Sequence, residues 1–262
     1  MIAPTVQNGL TLRLKNKITS RPYIDLTLKL MKKFGIRYLW KGNEIRIDEQ
    51  NYRPLEFTVE SDWSGASYWY QMAAISEDCD VLLEGLVLKS LQGDCVQSEW
   101  FEKYFGVVSK QQGNSVRLTK KELPEIKKLV INFIENPDIA QTFAVLCVCK
   151  GLPFHFSGLH TLKIKETDRI TALQNELAKL GAELTEPSHG ELAWDGTINE
   201  DRKDDIPVIK TYHDHRMALA FAPAAMVIPE IKIDDPEVVT KSYPGFYSDL
   251  QKVGFSIKEH DA

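Results

Sequence analysis

Cysteine is scarce in this chain. Four residues in 262, Cys79, Cys95, Cys147 and Cys149, form no CxxC pair, and no histidine stands at zinc-finger spacing. Cys147 and Cys149 fall in the apolar run "FAVLCVCK", so they read as core thiols, and free thiols fit a reducing cytoplasm. No apolar run approaches the roughly 18 residues of a membrane span. The first residues carry neither the basic head nor the apolar core of a secretory signal, so the expected location is the cytoplasm. Positive charge is not in excess either: the formal net charge is −5, which argues against a general nucleic-acid binder. Neither GxGxxG nor GxxxxGK[ST] occurs, which disfavours a Rossmann or P-loop nucleotide site.

What is present is an ordinary globular composition, 43% hydrophobic and 26% charged, in a chain long enough for two domains or one large one with a sizeable core. The opening, "MIAPTVQNGLTLRLKNKI", starts apolar, turns at Asn8-Gly9 and enters a strand. Residues 1–6 read as the tail of an element begun elsewhere, so the chain is expected to be a piece of a longer protein.

The sequence repeats. Three segments, "LTLRLKNKITSRPYIDLTLKLMKKFGI", "VLLEGLVLKSLQGDCVQSEWFEKYFGV" and "FHFSGLHTLKIKETDRITALQNELAKLGA", each read strand, polar turn, Asp, helix, Gly, and in the third "HTLKI" alternates like a strand up to Ile164. Their aspartates, Asp25, Asp94 and Asp168, lie 69 and 74 residues apart, and Gly35, Gly106 and Gly181 follow where a helix end needs a left-handed residue. Apolar faces recur at helical spacing: Leu26, Leu30, Phe34; Trp100, Phe101, Tyr104; Ile170, Leu173, Leu177, Leu180. A second set interleaves: "FTVESDWSGASYWYQMAA", "LVINFIENPDIAQTFAVL" and "PVIKTYHDHRMALAFAPAAM", with Asp62, Asp138 and Asp214 each 76 residues apart. Each of these reads as a strand, then Asp, then an Ala-rich helix packed closely on both sides. The unit is thus about 70 to 76 residues, near βαββαβ, in an α/β (α+β) protein. Polar and acidic signals fall at helix N-termini throughout, and parallel helices would turn their positive ends to one anion-favouring surface.

Five clusters could carry chemistry: "SRPYID" (Ser20, Arg21, Tyr23), Asp138 in "ENPDIAQ", "KIKETDR", "YHDHR", and Lys241 in "VVTKSYPGF". Each has a plain structural reading. Asp138 could be an N-cap worth about 1 kcal/mol. Thr167 or Asp168 could cap the next helix. "HDH" could hold a metal, but no third ligand lies nearby in sequence, and a lone lysine is usually solvated. Against these stands the coincidence that Lys165, Arg169, Arg216 and Lys241 all occupy repeat-equivalent edges. Four cations with two carboxylates would make a site for a polyanionic substrate with an acid–base pair, and arginine suits bidentate recognition of phosphate or carboxylate.

"KETDR", "HDHRMALAF", "SRPYID" and "SDWSGASY" resemble the 3-phosphoshikimate 1-carboxyvinyltransferase (EPSP synthase) family, over about residues 10–257. The resemblance implies an enolpyruvyl transferase-like inverse α/β barrel of two domains, with substrates in the cleft between them. Residues 1–58 would be one repeat of one domain, and residues 59–262 most of the other. It implies transfer of the enolpyruvyl group of phosphoenolpyruvate to the 5-hydroxyl of shikimate 3-phosphate in aromatic amino-acid biosynthesis, with no metal or organic cofactor. Carried over by position, Asp138 would accept the 5-hydroxyl proton, Glu166 would move a proton to and from the enolpyruvyl carbon, and Lys165 would hold shikimate oxygens. Ser20, Tyr23 and Thr161 would line the shikimate 3-phosphate pocket, and Arg169, His215, Arg216 and Lys241 would bind phosphoenolpyruvate. Asp168 would cap or pair structurally. Two departures stand out. Thr161-Leu162-Lys163 replaces the family's Asn-Trp-Arg. The family's N-terminal lysine, phosphoenolpyruvate-loop Asn and Gly, a further arginine and a Ser-Ser-Gln clamp have no counterpart, which implies a missing N-terminal part and half a site. Rival readings are the sister transferase acting on UDP-N-acetylglucosamine, a non-catalytic anion-binding module of the same fold, and a repeat protein for protein–protein contacts.

Overall fold

A computed structural model of the chain describes residues 1–15, 18–123 and 125–259. Asn16 and Lys17, in the polar turn of the first repeat, and the last three residues of the expected main domain lie outside that description.

The N-terminal part is a small layer of its own. Strand β1 (Leu10–Arg13) pairs antiparallel with β3 (Glu44–Ile47), which pairs antiparallel with β2 (Leu39–Lys41). Along β3 the alternation works as a one-sided strand: Ile45 and Ile47 are buried, Glu44 and Arg46 exposed. Helix α1 (Arg21–Lys33) starts with Pro22 in its first turn, where the missing N–H costs nothing, and ends on Lys32 and Lys33, which suit the negative end of its dipole. Its buried face is Leu28 and Met31, beside Ile36, rather than the expected Leu26, Leu30 and Phe34. A helix carrying apolar residues at both spacings buries whichever face its sheet meets.

A second and larger core begins at Trp63. Helices α2 (Trp63–Ile75), α4 (Ala140–Cys149) and α6 (His215–Phe221) pack on one another in its centre. Every residue of α4 from Ala140 to Val148 is buried, and the expected small residues Ala73, Ala74, Ala144, Ala218 and Ala220 let these helices approach closely. Ala225 is the exception and is exposed. The sheets lie outside the helices. Around α2, β4 (Asp80–Glu84), β6 (Ser115–Lys120) and β5 (Val107–Gln112) form an antiparallel sheet in that spatial order. Around α4, β7 (Leu129–Asn132) runs parallel to β8 (Phe154–Ser157), which is antiparallel to β9 (Leu192–Trp194). Beside α6, β10 (Val208–Ile209) and β11 (Lys232–Ile233) form a short parallel pair. Helices α3 (Gln97–Phe105) and α5 (Arg169–Ala178) pack against α2 and α4, and α7 (Phe246–Lys252) closes the described chain. Core helices inside outer sheets are the inverse α/β arrangement expected.

Gly35, Gly106 and Gly181 all have positive φ, as the helix-end pattern requires. A Cβ at Gly106 would stand 2.2 Å from the Lys121 carbonyl oxygen. Two expected strands are absent. "FTVE", residues 57–60, is irregular, with Val59 81% exposed, because no strand pairs with it. The alternation of "HTLKI" is a 3₁₀ helix, His160–Ile164, since β8 already ends at Ser157 and Gly158 turns the chain at φ 75°. No helix among the described residues is long and apolar enough to cross a membrane.

Candidate active site

Asp138 sits in a 3₁₀ turn, Pro137–Ile139, just before α4, and its side chain caps no helix. The capping explanation therefore fails for this residue. Instead Oδ1 lies 3.0 Å from Lys165 Nζ and 3.0 Å from Arg169 Nη1, and Oδ2 lies 3.7 Å from Arg216 Nη2. Tyr23 of α1 donates its phenol O–H to Oδ2 at 3.2 Å, and Arg216 Nη1 donates to the Asp138 carbonyl at 3.2 Å. Burial pushes this carboxyl up, but Arg216, Lys165 and Arg169 outweigh it and hold the group below the ordinary aspartate value. Asp138 is a carboxylate at neutral pH.

Arg169 opens α5 behind its cap Asp168, which accepts from the Ile170 and Thr171 amides and pairs with Lys163 at 3.4 Å. The structural role expected of Asp168 is what it performs. The Arg169 side chain is 1% exposed, and each guanidinium nitrogen has a carboxylate partner: Nε reaches Asp214 at 2.6 Å, Nη1 reaches Asp138, and Nη2 reaches Glu166 at 2.7 Å and the second Asp214 oxygen at 3.3 Å. Asp214, fully buried, also caps α6 by accepting the Arg216 amide at 2.9 Å. Arg169 is thus a strut tying α5, α6 and the Asp138 turn together.

Arg216, at the start of α6, is raised above its usual value: burial works against its charge, but Tyr68, Asp138, Asp94 and Tyr23 more than offset that. Tyr68 of α2 is itself buried and pushed up to about 12 by that burial, against the opposing pull of Arg216. His215 is held below the ordinary histidine value, first by burial and then by Arg216, and its buried Nδ1 has no hydrogen-bond partner. His213 forms no metal set with it. His213 turns away, 89% exposed, to Asp235, and no cluster of three or more His, Cys, Asp or Glu among the described residues could hold a metal.

Lys241 ends a 3₁₀ turn, Pro236–Lys241, and donates to the His213 carbonyl at 2.7 Å. That carbonyl is presented by an unusual turn: Tyr212 and His213 both have positive φ, 55° and 58°, at a cost of roughly 1–3 kcal/mol each. Ser20 also has positive φ, 51°. Its amide donates to the Ile134 carbonyl at 3.1 Å, and its hydroxyl caps nothing. Thr161 keeps a buried Oγ1 without a hydrogen-bond partner. Two cavities of about 630 and 620 Å³ lie elsewhere, one by Tyr104, Lys120 and Lys150 at the C-terminal ends of α2, α3 and α4, the other by Trp69 and Tyr243. Neither includes the Asp138 cluster.

Two site residues escaped the sequence reading. Asp214 was grouped with "YHDHR" but not given its strut role. Asp94 stands in the sequence only as a repeat marker. It is 3% exposed and accepts from Ser64 Oγ at 2.5 Å, Asn136 Nδ2 at 3.0 Å and the Tyr23 phenol at 3.3 Å. Its repeat mates misled, because Asp25 lies inside α1 and Asp168 is a cap.

Comparison with known proteins gives the family. The EPSP synthase (3-phosphoshikimate 1-carboxyvinyltransferase) family profile matches residues 1–250. The chain belongs to the EPSP synthase family. It is 52% identical over 259 residues to the 3-phosphoshikimate 1-carboxyvinyltransferase of Bacteroides fragilis, a match covering 98% of this chain and 62% of that one. With the enzyme of the same name from Methanospirillum hungatei it shares 30% identity over 256 residues, 96% of this chain and 58% of the other. Among solved structures, EPSP synthase from Acinetobacter baumannii superposes with a TM-score of 0.74 at 20% identity, over 98% of this chain and 59% of that one. The enolpyruvyl transferase NikO from Streptomyces tendae gives 0.71 at 15% identity, over 98% and 58%. The chain therefore spans about three fifths of the length of these EPSP synthase relatives and shares their fold.

Proposed function

We propose that the chain carries the part of an EPSP synthase site that moves protons and holds phosphoenolpyruvate, in an enzyme transferring the enolpyruvyl group to the 5-hydroxyl of shikimate 3-phosphate. The observation that carries this reading is the half-buried carboxylate of Asp138, ringed by Lys165, Arg169, Arg216 and the Tyr23 phenol. A carboxylate facing the cations of an anion site competes with the anion for them, whereas a proton-transfer step can use it as its base.

On this reading Asp138 accepts the 5-hydroxyl proton as that oxygen attacks C2 of phosphoenolpyruvate. Glu166, 41% exposed and beside Arg169, exchanges the proton at C3, and phosphate leaves the tetrahedral intermediate. Lys165 bridges Asp138 and the shikimate oxygens. Ser20, Tyr23 and Thr161 face shikimate 3-phosphate, the unpartnered Thr161 hydroxyl standing ready for a ligand oxygen. Arg216 and Lys241 hold phosphoenolpyruvate beside His215, whose neutral ring adds no competing charge. Arg169 joins them by exchanging Glu166 or Asp138 for a substrate oxygen while Asp214 keeps hold of its Nε. An incoming dianion draws Arg216 and Lys165 off Asp138 and so raises its basicity at the moment it is needed.

The two hydrophobic cores support a division into a one-repeat unit, residues 1–58, and a main domain, residues 59–262. Phosphate-holding groups from a further, N-terminal part of the same protein complete the site, in the cytoplasm. The test uses a chimera in which this chain replaces the segment it matches in the Bacteroides fragilis relative. Arg216→Ala and Lys241→Ala should each raise KM for phosphoenolpyruvate about tenfold or more, because a hydrogen bond to a charged group is worth roughly 1.5–3 kcal/mol. An unchanged KM and kcat in both would refute the assignment.

A further inference from the structure

Asp94 has no part in the reaction just described, yet it is a buried acid at the junction of four segments. It lies in the 3₁₀ turn Gly93–Val96 before α3, and it takes hydrogen bonds from Tyr23 on α1, Ser64 on α2 and Asn136 in the turn that carries Asp138. Gly93 beside it allows the closest approach of α1: a Cβ there would stand 2.2 Å from Pro22 Cβ. A carboxylate only accepts hydrogen bonds, and these three partners can all donate.

The Tyr23 phenol has one proton and two carboxylates competing for it. Its oxygen lies 3.2 Å from Asp138 Oδ2 and 3.3 Å from Asp94 Oδ2. A phenol proton resting on Asp138 weakens that group as a base. We propose that Asp94 is a positioning residue for Asp138: by accepting the Tyr23 proton, it frees Asp138 Oδ2 to take the proton of the acceptor hydroxyl. This rests on the reading of Asp138 as base. In the step itself the acceptor O–H bond breaks, its proton passes to Asp138 Oδ2 and its electron pair forms the bond to C2. The Tyr23 O–H stays intact and points to Asp94 throughout. The other groups facing Asp138 are Lys165, Arg169 from α5 and Arg216 from α6, with Tyr68 of α2 behind Arg216. Asn136 adds a second link, since Asp94 accepts from the side-chain amide of the residue two before the base.

A double-mutant cycle in the Bacteroides fragilis chimera separates this role from simple support. Asp94→Asn presents an amide N–H to Tyr23 and so sends the phenol proton to Asp138. It should lower kcat about tenfold with KM for phosphoenolpyruvate within about twofold, a smaller loss than the roughly 10²–10⁴ of removing the base itself. In a Tyr23→Phe background the same change should cost less than about twofold, because the phenol it acts through is gone. Equal losses in the two backgrounds would overturn the proposal. Should Asp94→Asn not fold, Tyr23→Phe alone decides. The acid limb of its kcat profile stays within about 0.3 pH units if the phenol proton belongs to Asp94, and moves up by about one unit or more if it belongs to Asp138, which overturns the proposal. An inactive unsubstituted chimera would refute the proposed function itself. The Asp94 link is then decided on the 262-residue chain by carboxyl ¹³C NMR titration of Asp138 through the same cycle. Asp94→Asn should lower the Asp138 pKa more with Tyr23 present than absent, and equal shifts contradict the link.

Discussion

Replacing Arg169 by methionine isolates the ion-pair strut. Methionine keeps most of the stem volume and removes the guanidinium. Asp214 loses its only charged hydrogen-bond donor among these contacts while remaining fully buried, and Asp138 loses one of three cations. Because Arg169 is 1% and Asp214 0% exposed, water does not screen the stranded charge; the Glu166 arm, 41% exposed, adds little. Breaking a buried pair from one side costs about 3–5 kcal/mol. Against a domain stability of roughly 5–15 kcal/mol, that is a large fraction. In urea unfolding followed by circular dichroism, the midpoint should fall by about 1 M or more at a slope near 3 kcal/mol/M. The loss comes from the stranded carboxylate, so Arg169→Met with Asp214→Leu should recover at least half of it, the remainder being the lost α6 cap at about 1 kcal/mol. A single-variant loss under about 1 kcal/mol, or a double variant no better than the single, would refute the strut.

Asp138→Asn in the chimera should leave folding intact and lower turnover by roughly 10²–10⁴; near-normal turnover of a folded variant would leave Asp138 a structural residue. The folded pKa of Asp138 is depressed, so its pairing stabilises the fold above the unfolded value near about 3.9 and is lost as pH falls through the folded value. Acid titrations of stability should therefore be flatter below about pH 4 in Asp138→Asn than in the parent, and identical acid slopes would contradict the pairing. His215 is also depressed, so the unfolded chain takes up a proton first as pH drops below about 6.5; His215→Gln should remove part of the stability loss between about pH 7 and 5, and an unchanged slope would mean that the ring is not held neutral.

The periodic parts of the sequence were the readable ones. Gly35, Gly106 and Gly181 marked helix ends because only a left-handed turn demands that residue, and the alanine runs of α2, α4 and α6 showed helices crowded on every side. "KETDR" and "DHRMA" carried the site, because Lys165, Arg169 and Arg216 do converge on Asp138. Alternation misled where no neighbour exists to pair with: "FTVE" found no partner strand, and "HTLKI" was spent on a 3₁₀ turn. Asp94 and Asp214 were illegible as site residues for a different reason. A capping aspartate and a buried hub look alike in sequence, and only tertiary contacts from α1, α2 and α5 tell them apart.

Phosphate release from phosphoenolpyruvate, dependent on shikimate 3-phosphate, tests the half-site reading most directly when the 262-residue chain and the Bacteroides fragilis chimera are assayed side by side. Asp138 and its cations are the same in both. Charge stabilisation in a closed, water-excluded cleft, usually the largest catalytic contribution, is available only in the chimera. The chimera should turn over at roughly 1 s⁻¹ or faster, while the chain alone shows no detectable transfer and binds either anion no tighter than about millimolar. Turnover by the chain alone at a comparable rate would contradict the reading.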